Sequence, residues 1–429
     1  MKVYAMVLLA ASVALSPGVA SAQETELAAL RAAGRSPEAL LRLGRALRRA
    51  GRFDEAYRTL QAVRAPNLRA DALWEAARVR FDQGNFRLSQ AACRAIPEGL
   101  ARHVCLARAH IVWNRVALAE REVAIARGLQ PNDPQLQLAI AEMARLNTDL
   151  ARGEAAYQAA ASGLPGDASP WVGLGSLQEL LQHDTEALAA FRRAAEVDPG
   201  DPQANLALGV HLLRRQHNAT EALAPLRRAT EGRLNWPEAL VALGQALLET
   251  QAWAEALAAF QNAVRLSRSQ PGGQTGLGRA LNGLGRWADA EAPFRLAITQ
   301  VGNDAQAYMG LADVLEHTSR DIDAMETWEA AVDRAPHDLT PRMRAAMLAH
   351  RTQQNSLARA HLDRVLAVDG RYGPALVLRA EIAVEDNDRP TARSYYRQAL
   401  DAHDAPLDRA AIEARLAELD RPGPPPRRR

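Results

Sequence analysis

The 429-residue sequence is short of several things. It has two cysteines, 5% aromatic residues and one lysine, Lys2, so arginine carries nearly all of its positive charge. Few aromatics beside abundant alanine and leucine argue against sheets and for packed helices. A formal net charge of +2 offers no bulk excess to attract nucleic acid. Beyond the N-terminal segment no stretch approaches about 18 uninterrupted apolar residues, so the mature chain is expected to have no transmembrane segment. Signatures of catalysis are equally scarce. Gly276-Leu277-Gly278 is followed by Arg279, Ala280 and Leu281, which is no dinucleotide fingerprint. His103 with His110, and His350 with His361, can share helix faces, but neither pair has a carboxylate or cysteine at metal-ligand spacing. No Gly-x-Ser-x-Gly and no Cys/His set suited to nucleophilic attack is present. The expectation is a protein without catalysis, cofactor or metal.

What is present begins with residues 1–22. Lys2 supplies a short positive region, Ala5 to Leu15 is apolar, and Ala20-Ser21-Ala22 offers the small residues that a signal peptidase reads before Gln23. The segment reads as a cleaved secretory signal peptide, which implies export. Preference for arginine over lysine fits a GC-rich, bacterial genome, and export from such a cell implies a periplasmic location.

The rest of the chain repeats. A-L-A-A-F-R-R-A-A-E-V-D-P from Ala187 returns as A-L-A-A-F-Q-N-A-V-R-L from Ala256. Small residues recur at Gly44, Ala77, Ala107, Ala141, Gly175, Gly209, Gly244, Gly278, Ala312, Ala346 and Ala380, at spacings of 34 apart from 33 and 30 at the start and 35 once. Twelve residues after most of these stands another small residue, such as Ala187 or Ala256. Sixteen after comes a large one: Leu60, Val123, Tyr157, Phe191, Phe260, Phe294, Trp328, Leu362 or Tyr396. Trp171, Leu174 and Gly175 share one face of a helix, and Ala187, Phe191 and Ala194 share one face of the next, so the two can be pressed together. Asp133-Pro134 and Asp201-Pro202 read as a cap followed by proline in the first helical turn.

Trp171, Leu174, Gly175, Ala187, Phe191 and Pro199 together resemble the tetratricopeptide repeat, whose pattern runs W-x2-L-G-x2-Y, A-x3-F, P on a 34-residue period. Gln178 departs from it, standing where an aromatic is expected. The resemblance covers about eleven units. It implies an all-α, right-handed superhelical solenoid of helix-turn-helix repeats over residues 37–403, with terminal capping helices at 23–36 and 404–419. Residues 420–429, which read R-P-G-P-P-P-R-R-R from Arg421 onward, are expected to form a disordered basic tail.

Cys93 and Cys105 flank the turn Ile96-Pro97-Glu98-Gly99, and an antiparallel hairpin of that length brings them within bridging distance. An oxidising compartment favours the disulfide over two buried thiols.

In the family the resemblance points to, first helices line a concave groove that holds an extended partner segment. One residue past the first three markers stand Arg45, Arg78 and Arg108, with Arg48, Arg49, Trp74 and Phe81 around them. Late repeats place Asp313, Glu316, Glu381 and Glu385 in comparable positions. Residues 23–130 hold 19 arginines against 11 acids and the remainder 32 against 39, so the groove is expected to be basic at its start and acidic towards its end. The candidate partner-binding residues are Arg45, Arg49, Trp74, Arg78 and Arg108. Chaperone-binding members hold a C-terminal carboxylate with lysine and asparagine, and the lack of lysine here speaks against that activity. The reading is a periplasmic scaffold or adaptor for other envelope proteins, bound through extended or acidic segments, in envelope assembly or in delivery to a protease. The alternative is a component of a polysaccharide synthesis or export machine that binds an anionic polymer.

Overall fold

The computed structural model describes residues 17–233, 235–402 and 407–421, with side chains from residue 24 onward. Residues 1–16 of the signal-peptide reading, 403–406 and 422–429 of the basic tail lie outside the described residues. The leading helix covers Pro17–Ala32 of the described residues, so helical structure is present ahead of the expected boundary at residue 23. The closing helix is Arg409–Asp420. Between them the described residues form eleven helical hairpins, from Pro37–Arg49 with Phe53–Gln61 to Gly373–Glu385 with Arg389–Leu400. The two helices of each hairpin pack on one another, and within each of the two compact units successive hairpins pack in turn, giving the all-α solenoid of helix pairs. Among the described residues no helix is long and apolar enough to cross a membrane.

Short polar side chains start several first helices. Ser36 accepts from the Ala39 N–H at 3.1 Å, Asp133 from Leu136 at 2.9 Å and Asp201 from Ala204 at 2.8 Å. Each satisfies a donor that the helix cannot bond internally. The ends of these helices share a device the sequence reading missed. In every repeat a residue seven or eight places past the small marker has a left-handed backbone. It is glycine at Gly51, Gly84 and Gly285, but Asn114, Thr148, Gln182, His217, Gln251, Ser319, Gln353 and Asn387 elsewhere. This conformation lets the chain reverse after the first helix, as at many helix C-termini. His217 comes one place late because the sixth repeat carries its extra residue in this turn.

The core follows the repeat register. All eleven small markers are buried, as are the small residues on the second helices that face them. The large positions Leu60, Tyr157, Phe191, Phe260, Phe294, Trp328, Leu362 and Tyr396 are buried with them. Cys93 takes the large position of the second repeat and bridges to Cys105, with 5.5 Å between their Cα atoms. The disulfide therefore stands where other repeats place a ring or a branched aliphatic, at the point where the spacing shortens to 30 residues.

The helices cluster into two compact units that meet in sequence at Gln270 and Pro271. The first contains seven repeats and the second four, with the closing helix. In the first unit, the start of the array returns to meet later repeats. The Arg49 guanidinium lies 2.8 Å from Asp198, and Arg233 donates to the Asp82 carbonyl at 3.3 Å across 151 residues. Arg233 also lies over the rings of Phe53 and Trp236.

Candidate functional site

Closure of the first unit on itself encloses a cavity of about 590 Å³. Its wall comes mainly from first helices: Arg48 and Arg49 from the first repeat, Trp74, Arg78 and Phe81 from the second, and Arg108, Ile111 and Val112 from the third. Glu142, Arg145 and Leu146 from the fourth complete that side, and Asp201 and Arg233 stand opposite. The lining residues of the first four repeats point inward because the buried markers within five places of them fix which helical face meets the neighbouring helices.

Of the five candidate groove residues, Arg49, Trp74, Arg78 and Arg108 line the cavity and Arg45 does not. The arginines are largely paired with carboxylates, a feature the basic-groove reading lacked. Arg45 reaches Glu75 at 3.1 Å, and Arg48 reaches Asp82 at 2.8 Å and Glu75 at 3.4 Å. Arg108 and Glu142 form a two-pronged pair at 3.1 and 2.8 Å, each side chain 22% exposed. A planar guanidinium and a carboxylate match in this geometry. Glu75 is buried among Arg45, Arg48 and Arg78. Burial opposes its charge, but the three arginines prevail and hold its pKa below the ordinary value.

Arg78 is the exception. Its side chain is 28% exposed, and its one ion-pair partner among the described residues is Glu75 at 3.6 Å, three residues back on its own helix. Burial, then repulsion from Arg48, lowers its pKa, with Arg108 adding to the effect. Arg108 also suffers burial, but Glu142 outweighs it and raises its pKa. Arg145 stands beside the Tyr157 hydroxyl, whose pKa is pushed up to about 12 by burial and then by Glu142. Asp201 is pushed up too, mainly by burial.

Two family models described as tetratricopeptide repeat match the sequence. One matches the overlapping stretches 185–237, 212–273, 241–305 and 275–338, and the other matches 38–65. The chain is a tetratricopeptide repeat protein.

Comparison with curated protein sequences gave no match. Among solved structures, this tetratricopeptide repeat protein is similar to PilF of Pseudomonas aeruginosa at 21% identity, covering 50% of this chain and 97% of that one with a TM-score of 0.43. It is similar to yeast Tom70 at 13% identity, covering 93% and 92%, with a TM-score of 0.42. YrrB, described as a tetratricopeptide repeat protein with an unusual peptide-binding site, shares 21% identity over 46% of this chain and 97% of its own, with a TM-score of 0.38.

Two kinds of site residue escaped the sequence reading. Glu142 occupies in the fourth repeat the same register position as Arg108 in the third, so opposite charges 34 residues apart were a usable signal for the pair. The second unit of the tetratricopeptide array shows the same habit. Asp313 accepts from Arg344, and Glu316 is engaged by Arg351 at 3.1 Å and by the Trp328 indole N–H at 2.6 Å. Two of the four late acids, Asp313 and Glu316, are thus paired with arginine, while Glu385 accepts from Asn355 and lies 3.7 Å from His350. Arg233 belongs to the other kind. It lies after a second helix, outside the groove register, and only closure of the first unit brings it to the cavity.

Proposed function

We propose that this protein is a periplasmic scaffold or adaptor without catalysis of its own, holding an extended segment of another envelope protein within its first seven repeats. The observation that carries this reading is the cavity itself. Its volume lies in the range of ligand sites, about 300–1,000 Å³, and its wall joins exposed apolar side chains to guanidinium groups. Val112 and Leu146 are 51% and 38% exposed although both are large and apolar. A polypeptide segment offers matching apolar and acidic side chains in alternation. Export is supported by the charge, apolar run and small residues of the first 22 positions. An anionic polysaccharide would satisfy the arginines, but it would leave Val112, Leu146 and Phe81 against hydroxyl groups.

The test is affinity capture from envelope extracts with the exported chain and with a Val112→Asp, Leu146→Asp double variant. Both side chains reach solvent, so helical content should persist. Envelope proteins recovered with the wild type and lost with the variant are the expected result. Equal capture by both would remove the cavity as the binding surface.

A further inference from the structure

Seven arginines line or adjoin the cavity: Arg45, Arg48, Arg49, Arg78, Arg108, Arg145 and Arg233. The carboxylates that face them are Glu75, Asp82, Glu142, Asp167, Asp198, Asp201 and Glu238. Their pairing with the arginines is uneven. Arg48, Arg49 and Arg108 each have a carboxylate at 2.8 Å. Arg233 donates to a backbone carbonyl. Glu75, the nearest acid to Arg78, is shared with Arg45 and Arg48, both of which approach it more closely. Arg78 therefore holds a guanidinium at the cavity wall with donors to spare. It sits on the helix that also contributes Trp74 and Phe81, one helical turn away on either side.

We infer that Arg78 is the anchor for a carboxylate side chain of a bound polypeptide, whose neighbouring aromatic or aliphatic residue packs on Trp74 and Phe81. This deepens the scaffold reading and rests on it. One weakly paired guanidinium matches one carboxylate. A dianionic phosphate group would find Arg48, Arg49 and Arg108 engaged by acids, Arg145 beside the Tyr157 hydroxyl and Arg233 on the Asp82 carbonyl. The apolar wall next to Arg78 favours a whole apolar side chain beside the acid, which a peptide supplies, whereas a uronic acid brings only the C–H face of a hydroxyl-bearing ring.

The experiment uses an array of ten-residue peptides of randomised sequence, probed with the full chain and with Arg78→Gln, Arg78→Lys and Arg193→Gln. Arg193 is exposed and pairs with Glu196 on its own helix, so its variant is the control. The expected result is enrichment of aspartate or glutamate beside an aromatic or aliphatic residue, with the acidic peptide favoured over its amide counterpart by about tenfold, as a charge-assisted hydrogen bond implies. Arg193→Gln should keep that preference and Arg78→Gln should lose it while keeping the wild-type helical spectrum. Arg78→Lys should retain the preference in weakened form, since charge survives without the two-pronged geometry. Binding without acidic preference, preference that persists in Arg78→Gln, no peptide binding, or displacement of bound peptide by polygalacturonate at equal charge would each overturn the assignment. Failure here with continued loss of captured proteins in the Val112→Asp, Leu146→Asp variant would leave the scaffold reading in place.

Discussion

The ring of Phe294 fills the space where a side chain on Gly278 would stand. A Cβ built on Gly278 would lie 2.7 Å from Cζ of that ring, and one on Gly310 of the following repeat 2.2 Å from the same atom. Gly175 with Phe191 and Gly244 with Phe260 repeat the first of these relationships. A glycine inside a helix is unfavourable by about 1 kcal/mol relative to alanine, and its recurrence at these positions reflects the room the ring requires.

Replacing Gly278 by alanine should therefore destabilise the second unit despite the gain in helix propensity. Overpacking a filled core is worth about 1–3 kcal/mol, and an aromatic ring wedged between two helices has little freedom to retreat. Gly302→Ala makes the same chemical change at a turn where nothing lies within 4 Å, and should be close to neutral. Thermal unfolding of the two variants side by side is the measurement. Equal melting temperatures would contradict the packing assigned to Phe294.

Phe191→Ala removes a ring that is 1% exposed. The loss should be about 3–5 kcal/mol, felt in the fifth repeat and its neighbours because a solenoid is stabilised by nearest-neighbour contacts. Amide exchange should quicken between residues 169 and 232 while the second unit keeps its protection.

Thr148 holds a left-handed backbone at φ 58°. That conformation is unfavourable by about 1–2 kcal/mol for an L-residue, and a β-branched side chain makes it rarer still. Thr148→Gly should raise stability by up to about 1 kcal/mol, since glycine's greater freedom in the unfolded chain offsets part of the gain. Gly51→Thr should do the reverse at φ 72°, where a Cβ would also crowd Arg233 Cγ at 3.1 Å. Urea midpoints that move in the opposite order would refute this account of the turn.

Arg233→Ala should loosen the return of the first repeat without unfolding the array. The side chain bonds the Asp82 carbonyl and covers Phe53, so its removal should speed amide exchange over Phe53–Gln61 and near Asp82. Repeats eight to eleven supply the internal control. Unchanged exchange at Phe53–Gln61 would mean that the first repeat is held by its neighbours alone.

His361 is buried, and burial followed by repulsion from Arg342 and Arg364 lowers its pKa. The neutral imidazole is the form the folded chain prefers, whereas the unfolded chain protonates near pH 6.5. Its contribution to stability is complete above pH 6.5 and declines as pH falls from there towards the folded pKa, at no more than about 1.4 kcal/mol per pH unit. His361→Leu should flatten the stability profile between pH 7 and 5. A profile as steep as that of the wild type would assign the acid sensitivity to other groups.

Most of the fold was legible because a repeated residue answers a repeated local demand. The small markers, the large residues sixteen places on and the Asp-Pro starts each sit at a fixed point of a hairpin, and eleven copies make the signal hard to miss. The left-handed turn residue was not legible. Asn, Gln, Thr, His and Ser occupy it as well as Gly, since the backbone is imposed there by the two helices it joins. The candidate site was half legible: Arg78, Arg108 and Trp74 follow from counting along first helices, but Glu75 as the acid shared by Arg45, Arg48 and Arg78 does not, because it stands at a position the groove count skips.

The sequence by itself determined which side chains are buried and which helix each belongs to, since both depend on intervals shorter than one repeat. Tertiary structure decided which charges remain to be met. Arg108 is matched to Glu142, and Arg78 is left with only the longest approach to a shared Glu75, once neighbouring first helices are set side by side. Arg49 reaches Asp198, and Arg233 reaches Asp82, only after several repeats have each added a small rotation. That accumulated rotation is a property of interfaces between repeats, and no single segment of the chain encodes it.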